Sequence, residues 1–184
     1  MRVCIVVEGC YPYVTGGVSS WVHGLIQSFP KLEFVILAII SNHSMSGKFT
    51  YQIPENVTEV HELYLEDADW NRKGRKKLKL NKSEYQAFRS LVHNRRVEWE
   101  SVFRLFQEKP VSLDKLLMGE DFLQIVREYY DLHYSQLVFS DFLWTVRSVY
   151  LPLLFTLKME LPKADLYHCV ATGYAGVLGS MAKV

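Results

Sequence analysis

Cysteine is scarce and neither sign of charge dominates, and these two shortages narrow the chemistry at once. The 184 residues hold 3 cysteines, Cys4, Cys10 and Cys169, an odd number with no C-x-x-C pair. This offers neither a disulfide framework nor a thiolate zinc site, and it points to a reducing, cytoplasmic compartment. Cys4 and Cys169 fall in apolar runs and read as small buried hydrophobes. His43, His61, His93 and His133 stand at no metal-ligand spacing, so no metal is expected. Lys and Arg (21) nearly balance Asp and Glu (20), for a formal net charge of +1. That leaves no whole-chain electrostatic case for nucleic acid or an anionic membrane. Two phosphate signatures are missing too: no Gly-Lys-Ser/Thr follows the paired glycines, and no G-x-G-x-x-G occurs. A leader peptide is not expected either, because Met1-Arg-Val leads straight into a strand pattern and Glu8 interrupts the apolar segment.

What the chain does have is a strand–turn–helix pattern at its start. Val3-Cys-Ile-Val-Val7 is a continuous apolar run, suited to a strand of a parallel sheet covered on both faces. Glu8-Gly-Cys-Tyr-Pro-Tyr-Val-Thr-Gly-Gly-Val-Ser-Ser-Trp21 follows. Val18, Trp21, Val22, Leu25, Ile26 and Phe29 then recur at helical spacing and predict an inward face, with Ser19, Ser20, His23 and Gln27 outward. Gly16 and Gly17 let backbone approach a ligand closely, and free amides at the helix start favour an anion. A tight connection with no ligand would use the same glycines.

Further strands are predicted over Glu33–Ile40, Val57–Tyr64 and Asp165–Ala171, and strand–helix–strand order at this spacing argues for an α/β, Rossmann-like parallel sheet with flanking helices. Between the third and fourth strands lies a helical insertion, about residues 83–158. In it, Ser83-Glu-Tyr-Gln86 reads as a capping box opening one long helix that Pro110 ends, and a second helix covers roughly Glu120–Tyr134. Phe139–Leu157 reads as a helix capped by Ser140, apolar nearly all round. Asp141, Arg147 and Pro152 argue against its crossing a membrane. The basic run Arg72–Lys79 has no interleaved aromatics and reads as a solvated loop. His168 stands near the end of the fourth strand, where ligands gather in α/β sheets; a hydrogen-bonded strand histidine is the simpler reading.

The string from Glu8 to His23 closely resembles the N-terminal signature of the PelF-type retaining glycosyltransferases, members of glycosyltransferase family 4 with the GT-B fold, which build Pel exopolysaccharide. Ala164-Asp-Leu-Tyr-His-Cys-Val-Ala-Thr-Gly-Tyr-Ala-Gly176 is similar to the same family's fourth-strand motif. The resemblance implies an N-terminal, acceptor-side domain over residues 1–184. The helical pattern stops unfinished at Val184, and the C-terminal donor domain is expected outside this chain. It implies transfer of a sugar from a UDP-sugar, UDP-glucose or a relative, to a growing exopolysaccharide with retention of configuration. No cofactor is implied, and this chain alone is expected to be inactive. Gly16 and Gly17 would sit over the donor phosphates, contacting them through the amides of Gly17 and Val18. Glu8 and Tyr174 belong to the same substrate-binding set, and Tyr11, Pro12 and Tyr13 would shape the acceptor side. His168 and Thr172 are the candidate catalytic side chains. Many family-4 members carry D-x-x-H-x-H where this chain has Asp165, His168 and Val170. A side-chain acid or base from this strand is therefore in question, and the leaving phosphate can take the proton instead. The family's glutamate pair spaced E-x7-E is matched here only by Glu100/Glu108 and Glu120/Glu128, in amphipathic helices without a glycine-rich loop; both read as coincidences.

Two other functions fit the sequence. One is a non-catalytic Rossmann-like module docking on a membrane polysaccharide-export partner, at the inner face of the membrane, through Phe139–Leu157 or the basic run. The other is a different family-4 glucan or lipid glycosyltransferase.

Overall fold

The computed structural model describes residues 1–68 and 78–183. In chain order the elements are β1 (Arg2–Glu8), α1 (Gly17–Ser28), β2 (Glu33–Ile40), β3 (Val57–Tyr64), α2 (Lys82–Val92), α3 (Trp99–Glu108), α4 (Leu113–Leu117), α5 (Glu120–His133), α6 (Phe139–Thr156), β4 (Leu166–Cys169) and α7 (Tyr174–Met181). The chain divides into two compact units, one of Met1–Ala68 with Met159–Val184 and the other of Asp69–Lys158. The basic run lies, through residue 77, outside the described residues.

The first unit is an all-parallel sheet in the order β3-β2-β1-β4. Its two central strands are buried on both faces, which is why their sequences are continuous apolar runs rather than alternating ones. Val3, Ile5, Val7, Phe34, Ile36 and Ala38 form one face and share a core with Val22 and Ile26 of α1. Burying Val22 and Ile26 contributes about 1.5–3 kcal/mol each. Helix α7 packs on β1 and β4 through its buried Ala175, Leu178 and Met181. The unit has the α/β, Rossmann-like fold expected from the strand–helix–strand order. Successive strands run outward from β1 to β3, and then the chain returns to β4 on the other side of β1. The order therefore reverses between β1 and β4, and the crevice beyond the C-terminal ends of such a pair is where open α/β sheets take ligands.

Helix α1 is rotated from the predicted face. Ser19, Val22 and Ile26 are buried, whereas Val18 and Trp21 are each 51% exposed and Phe29 is exposed. The small Ser19 side chain lets the helix sit close to the sheet. Tyr11 and Tyr13 supply the bulk that the sequence pattern assigned to Trp21.

The second unit is helical. Helix α2 packs on α3 and α5, and α6 on α4 and α5. The one long helix expected from residue 83 to Pro110 is two helices. Asn94 adopts a left-handed φ of 52°, Arg95 N–H donates to the Ser90 carbonyl at 2.8 Å and Asn94 N–H to the Leu91 carbonyl at 3.2 Å. This is a Schellman stop with asparagine in the position glycine usually takes. The capping box begins two residues earlier than predicted. Asn81 accepts from Glu84 N–H at 2.9 Å, and Glu84 accepts from Asn81 N–H at 2.7 Å. Ser140 does not cap α6, because Val138 holds the cap position and the Ser140 hydroxyl donates to Asp141. Arg147 is buried with its guanidinium 4.5 Å from the Trp144 ring centre. Among the described residues no helix is long and apolar enough to cross a membrane.

Candidate functional site

The switch point between β1 and β4 gathers the singled-out residues from two connections. The first runs from the end of β1 to α1. Gly9 takes a left-handed φ of 63°, turning the chain out of the sheet, and its N–H donates to Ile39 at 2.9 Å. Tyr11 and Pro12 are joined by a cis peptide bond. Tyr11 is 0% exposed, and its hydroxyl lies 3.3 Å from His23 Nδ1; burial pushes that hydroxyl up to about 12. Tyr13 is also buried and donates to the Glu62 carboxylate. Both tyrosines therefore support the turn from behind rather than forming surface on the acceptor side.

Glu62 is the hub of that support, and the sequence reading missed it. It also accepts from Tyr64 at 2.5 Å, Ser46 at 3.2 Å and Gly47 N–H at 3.3 Å. Burial alone would raise the Glu62 carboxyl, but the bonds from Tyr13, Tyr64, Gly47 and Ser46 outweigh it and hold it below the ordinary carboxylate value. Thr50 adds two bonds to the Pro12 carbonyl, from its N–H at 2.9 Å and its hydroxyl at 3.0 Å. The loop after β2 thus clamps the Tyr11–Tyr13 segment. A carboxylate on a loosely alternating strand was the only sequence signal.

The glycine pair comes next. Gly16 is extended, with φ 167° and ψ 173°, and Gly17 is the first residue of α1. A Cβ built at either meets nothing within 4 Å. Neither glycine is required by the backbone or by packing inside this chain. No side chain caps α1 and no acidic residue stands in its first turn, so its leading amides have no side-chain acceptor.

The second connection runs from β4 to α7, and it differs at this point. Glu8, at the end of β1, lies against the start of α7: its Oε2 accepts from Ala175 N–H at 3.4 Å, and a Cβ on Gly173 would stand 2.7 Å from the same oxygen. Glycine at 173 is what admits the carboxylate. Glu8 therefore serves the amides of α7, not those of the glycine turn, and its negative charge complements that helix terminus. Tyr174 is half-buried beside it, and burial and then the Glu8 charge raise its hydroxyl. Thr172 is exposed.

His168 is registered opposite Ile5, so its side chain emerges on the α1 face of the sheet. Its ring centre lies 5.7 Å from that of Trp21. Val170 packs against the same core. Cys4 is buried beside Cys169, and burial pushes its thiol up to about 12, which leaves it protonated and unreactive. Among the described residues no cluster of His, Cys, Asp or Glu could hold a metal ion.

Other polar features are internally satisfied. Glu100 and Glu108 both pair with Arg104, and Glu128 pairs with Arg89 at 2.9 Å, which accounts for three of the four E-x7-E glutamates as helix-surface ion pairs. At the opposite end of the sheet a cavity of about 500 Å³ borders Arg2, Glu59 and His61, with Arg2 and His61 each bonded to the Glu59 carboxylate. A cavity of about 560 Å³ in the helical unit is bordered by Tyr129, Tyr134, Phe142 and Tyr150, and none of the sequence-predicted site residues lines it.

No curated protein and no solved structure matches the chain. The profile of one family does, over residues 1–184, and the chain accordingly belongs to the family described as Domain of unknown function (DUF3492).

Proposed function

We propose that this chain is the acceptor-side half of a retaining GT-B glycosyltransferase that moves a sugar from a UDP-sugar to a growing exopolysaccharide of the Pel type. One observation carries the reading beyond the sequence resemblance. Two helices start at the switch point: α7 has its first amides beside Glu8, while α1 is left, among the described residues, without a side-chain acceptor behind two glycines that no packing there requires. An open helix terminus of this kind suits a phosphate group.

The chemistry follows from that assignment. The acceptor hydroxyl attacks the anomeric carbon on the face the diphosphate leaves. The C1–O bond to phosphate breaks as the C1–O bond to the acceptor forms, and the hydroxyl proton passes to the departing phosphate oxygen. The amides of Gly17 and Val18 stabilise the charge growing on that oxygen, where protein contributions to such transfers are largest. No side-chain base is needed, consistent with Val170 standing where many family-4 glycosyltransferases have histidine. Residues 8–30 and 164–176 contain no Lys or Arg, so the cationic partners of the diphosphate come from the donor half.

The test is Gly17→Val in a chain carrying both halves. Loss of transfer by about 100-fold or more with an unchanged fold is expected; unchanged turnover overturns the role given to the glycine turn. The 184-residue chain alone should transfer nothing, and robust transfer by it would overturn the half-enzyme assignment.

A further inference from the structure

The exposed indole of Trp21 is unexplained by the phosphate site or by the core. A tryptophan on a sheet-packed helix normally buries most of its area, yet Trp21 is 51% exposed, and so is Val18 one turn before it. Val14, in the preceding turn, is exposed as well. The indole is nevertheless fixed. His168, held by strand pairing opposite Ile5, sets its ring 5.7 Å away at 35°. One side of the indole thus has a partner, and half of its surface stays open to solvent beside the C-terminal ends of β1 and β4.

We propose that Trp21 is a stacking platform for a neutral pyranose ring of the acceptor chain, and that His168 is a positioning residue that orients the indole. The proposal rests on the glycosyltransferase reading and extends it to a named contact. Charge favours a neutral sugar over an anion. Residues 8–30 and 164–176 supply no Lys or Arg, and both carboxylates there are engaged, Glu8 at α7 and Asp165 by the Arg2 N–H. An aromatic face is electron-rich, and the C–H bonds on the flat side of a pyranose present weakly positive hydrogens to it. Val14 and Val18 extend the apolar floor. The uncapped amides of α1 begin one turn away, so a ring resting on Trp21 lies next to the place assigned to the leaving phosphate.

His168 then has a role that requires no proton transfer. Its replacement frees the indole without removing it, and so weakens acceptor binding more than turnover. The expected loss for His168→Ala is about two- to tenfold in affinity, the size of one aromatic pair interaction.

The test uses the 184-residue chain labelled with 15N. The indole N–H signal of Trp21 is identified by its disappearance in Trp21→Phe. Cellotriose, maltotriose and N-acetylated chitotriose are titrated separately, and UDP serves as the anionic and nucleobase control. A shift of the Trp21 signal with at least one trisaccharide, weakened in His168→Ala and absent with UDP, is the expected result. No shift with any of the three up to their solubility limits, a shift produced by UDP instead, or equal affinity in His168→Ala overturns the proposal. In a chain carrying both halves, Trp21→Ala should raise the acceptor KM with little change in kcat, whereas Gly17→Ala should lower kcat. Unchanged acceptor KM in Trp21→Ala, with transfer still lost in Gly17→Ala, removes the platform and keeps the transferase. Trisaccharide binding at Trp21 with no sugar transfer by the chain carrying both halves keeps the platform as a carbohydrate surface and removes the transferase reading.

Discussion

Helix α2 of the helical unit and helix α1 of the sheet unit handle their polar groups in opposite ways. Around α2 in the helical unit, charges and caps close on one another: Asn81 and Glu84 cap α2 reciprocally, Lys109 pairs with Glu84 at 2.9 Å, and Arg89 with Glu128 at 2.9 Å. In the sheet unit the support behind the glycine turn is equally closed, with Glu62 accepting from four donors. The surface in front of it is not. Helix α1 has no cap, Gly16 and Gly17 face open space, and Trp21 is half exposed. A satisfied network makes a rigid unit, whereas groups left unsatisfied on a rigid support make a site. That difference locates the candidate chemistry in the sheet unit.

The largest expected effect breaks the comparison at its open end. Gly17→Ala places a methyl group where the chain itself has nothing within 4 Å. Gly17 is in the helix and its φ is not positive, so alanine should stabilise α1 by up to about 1 kcal/mol. Transfer by the two-half enzyme should nevertheless fall by about 100-fold, because the methyl enters the space assigned to the phosphate. Stability and activity moving in opposite directions, measured by thermal unfolding and by sugar transfer, is the signature. A variant that loses both together would mean the glycine serves the fold.

The next effect strikes the closed side of the same unit. Glu62→Ala leaves the Tyr13 hydroxyl buried without its acceptor, at a cost of about 1–3 kcal/mol. Amide exchange should quicken at Gly47 and through Tyr11–Tyr13, and the helical unit should be unaffected. Equal protection in the variant would show that the Glu62 network does not hold the turn.

Acid should separate the units by pH. His93, in the helical unit, is 8% exposed, and its Nε2 has no hydrogen-bond partner among the described residues. Burial, and then Arg89, hold it below its ordinary value of 6.5. The folded state therefore favours neutral His93 and the unfolded chain binds more protons, so this stability is present above 6.5 and is lost as pH falls through the lowered folded value. Glu62 has a depressed value too, and its contribution is present above the ordinary 4.5 and lost only as pH falls below that. On acidification, amide protection should decline first in α2 and α5, and later around the glycine turn. His93→Gln should abolish the earlier step alone. A single concerted transition in the parent chain would remove this distinction.

Strand pattern, cap chemistry and helix orientation were legible in the sequence to different degrees. The bounds of β2 follow directly from its apolar run, because a strand buried in a parallel sheet has few other ways to look, whereas β3, at the sheet edge, is marked only by a looser alternation. The break between α2 and α3 was hidden by a continuous helical periodicity, and Asn94, able to take a left-handed φ, was the overlooked stop signal. The orientation of α1 could not be read, since Val18–Trp21–Leu25 and Ser19–Val22–Ile26 are both stripes at helical spacing. What decided between them was tertiary: Tyr11 and Tyr13 fold under the turn and fill the room that Trp21 would have taken. The site was half visible for the same reason. Gly16, Gly17 and His168 stand in recognisable motifs, whereas Glu62 and Trp21 acquire their positions only from contacts made by residues far away in the chain.

The smallest effects come from exchanging the caps themselves. Asn81→Ala removes the acceptor for Glu84 N–H and should cost α2 about 1 kcal/mol. Gly16→Ser is its mirror: it offers α1 a side-chain acceptor at a position whose backbone is extended and whose Cβ meets nothing. Glycine is already a tolerable cap, so the gain should be only a few tenths of a kcal/mol. Its value lies in the sign. A serine oxygen that accepts from the first turn of α1 occupies the amides assigned to the diphosphate, so slower exchange in α1 should accompany weaker transfer. Slower exchange with transfer undiminished would mean that those amides are free for a cap and are not used by the substrate. In that case the contrast between a closed α2 and an open α1 would no longer locate the chemistry.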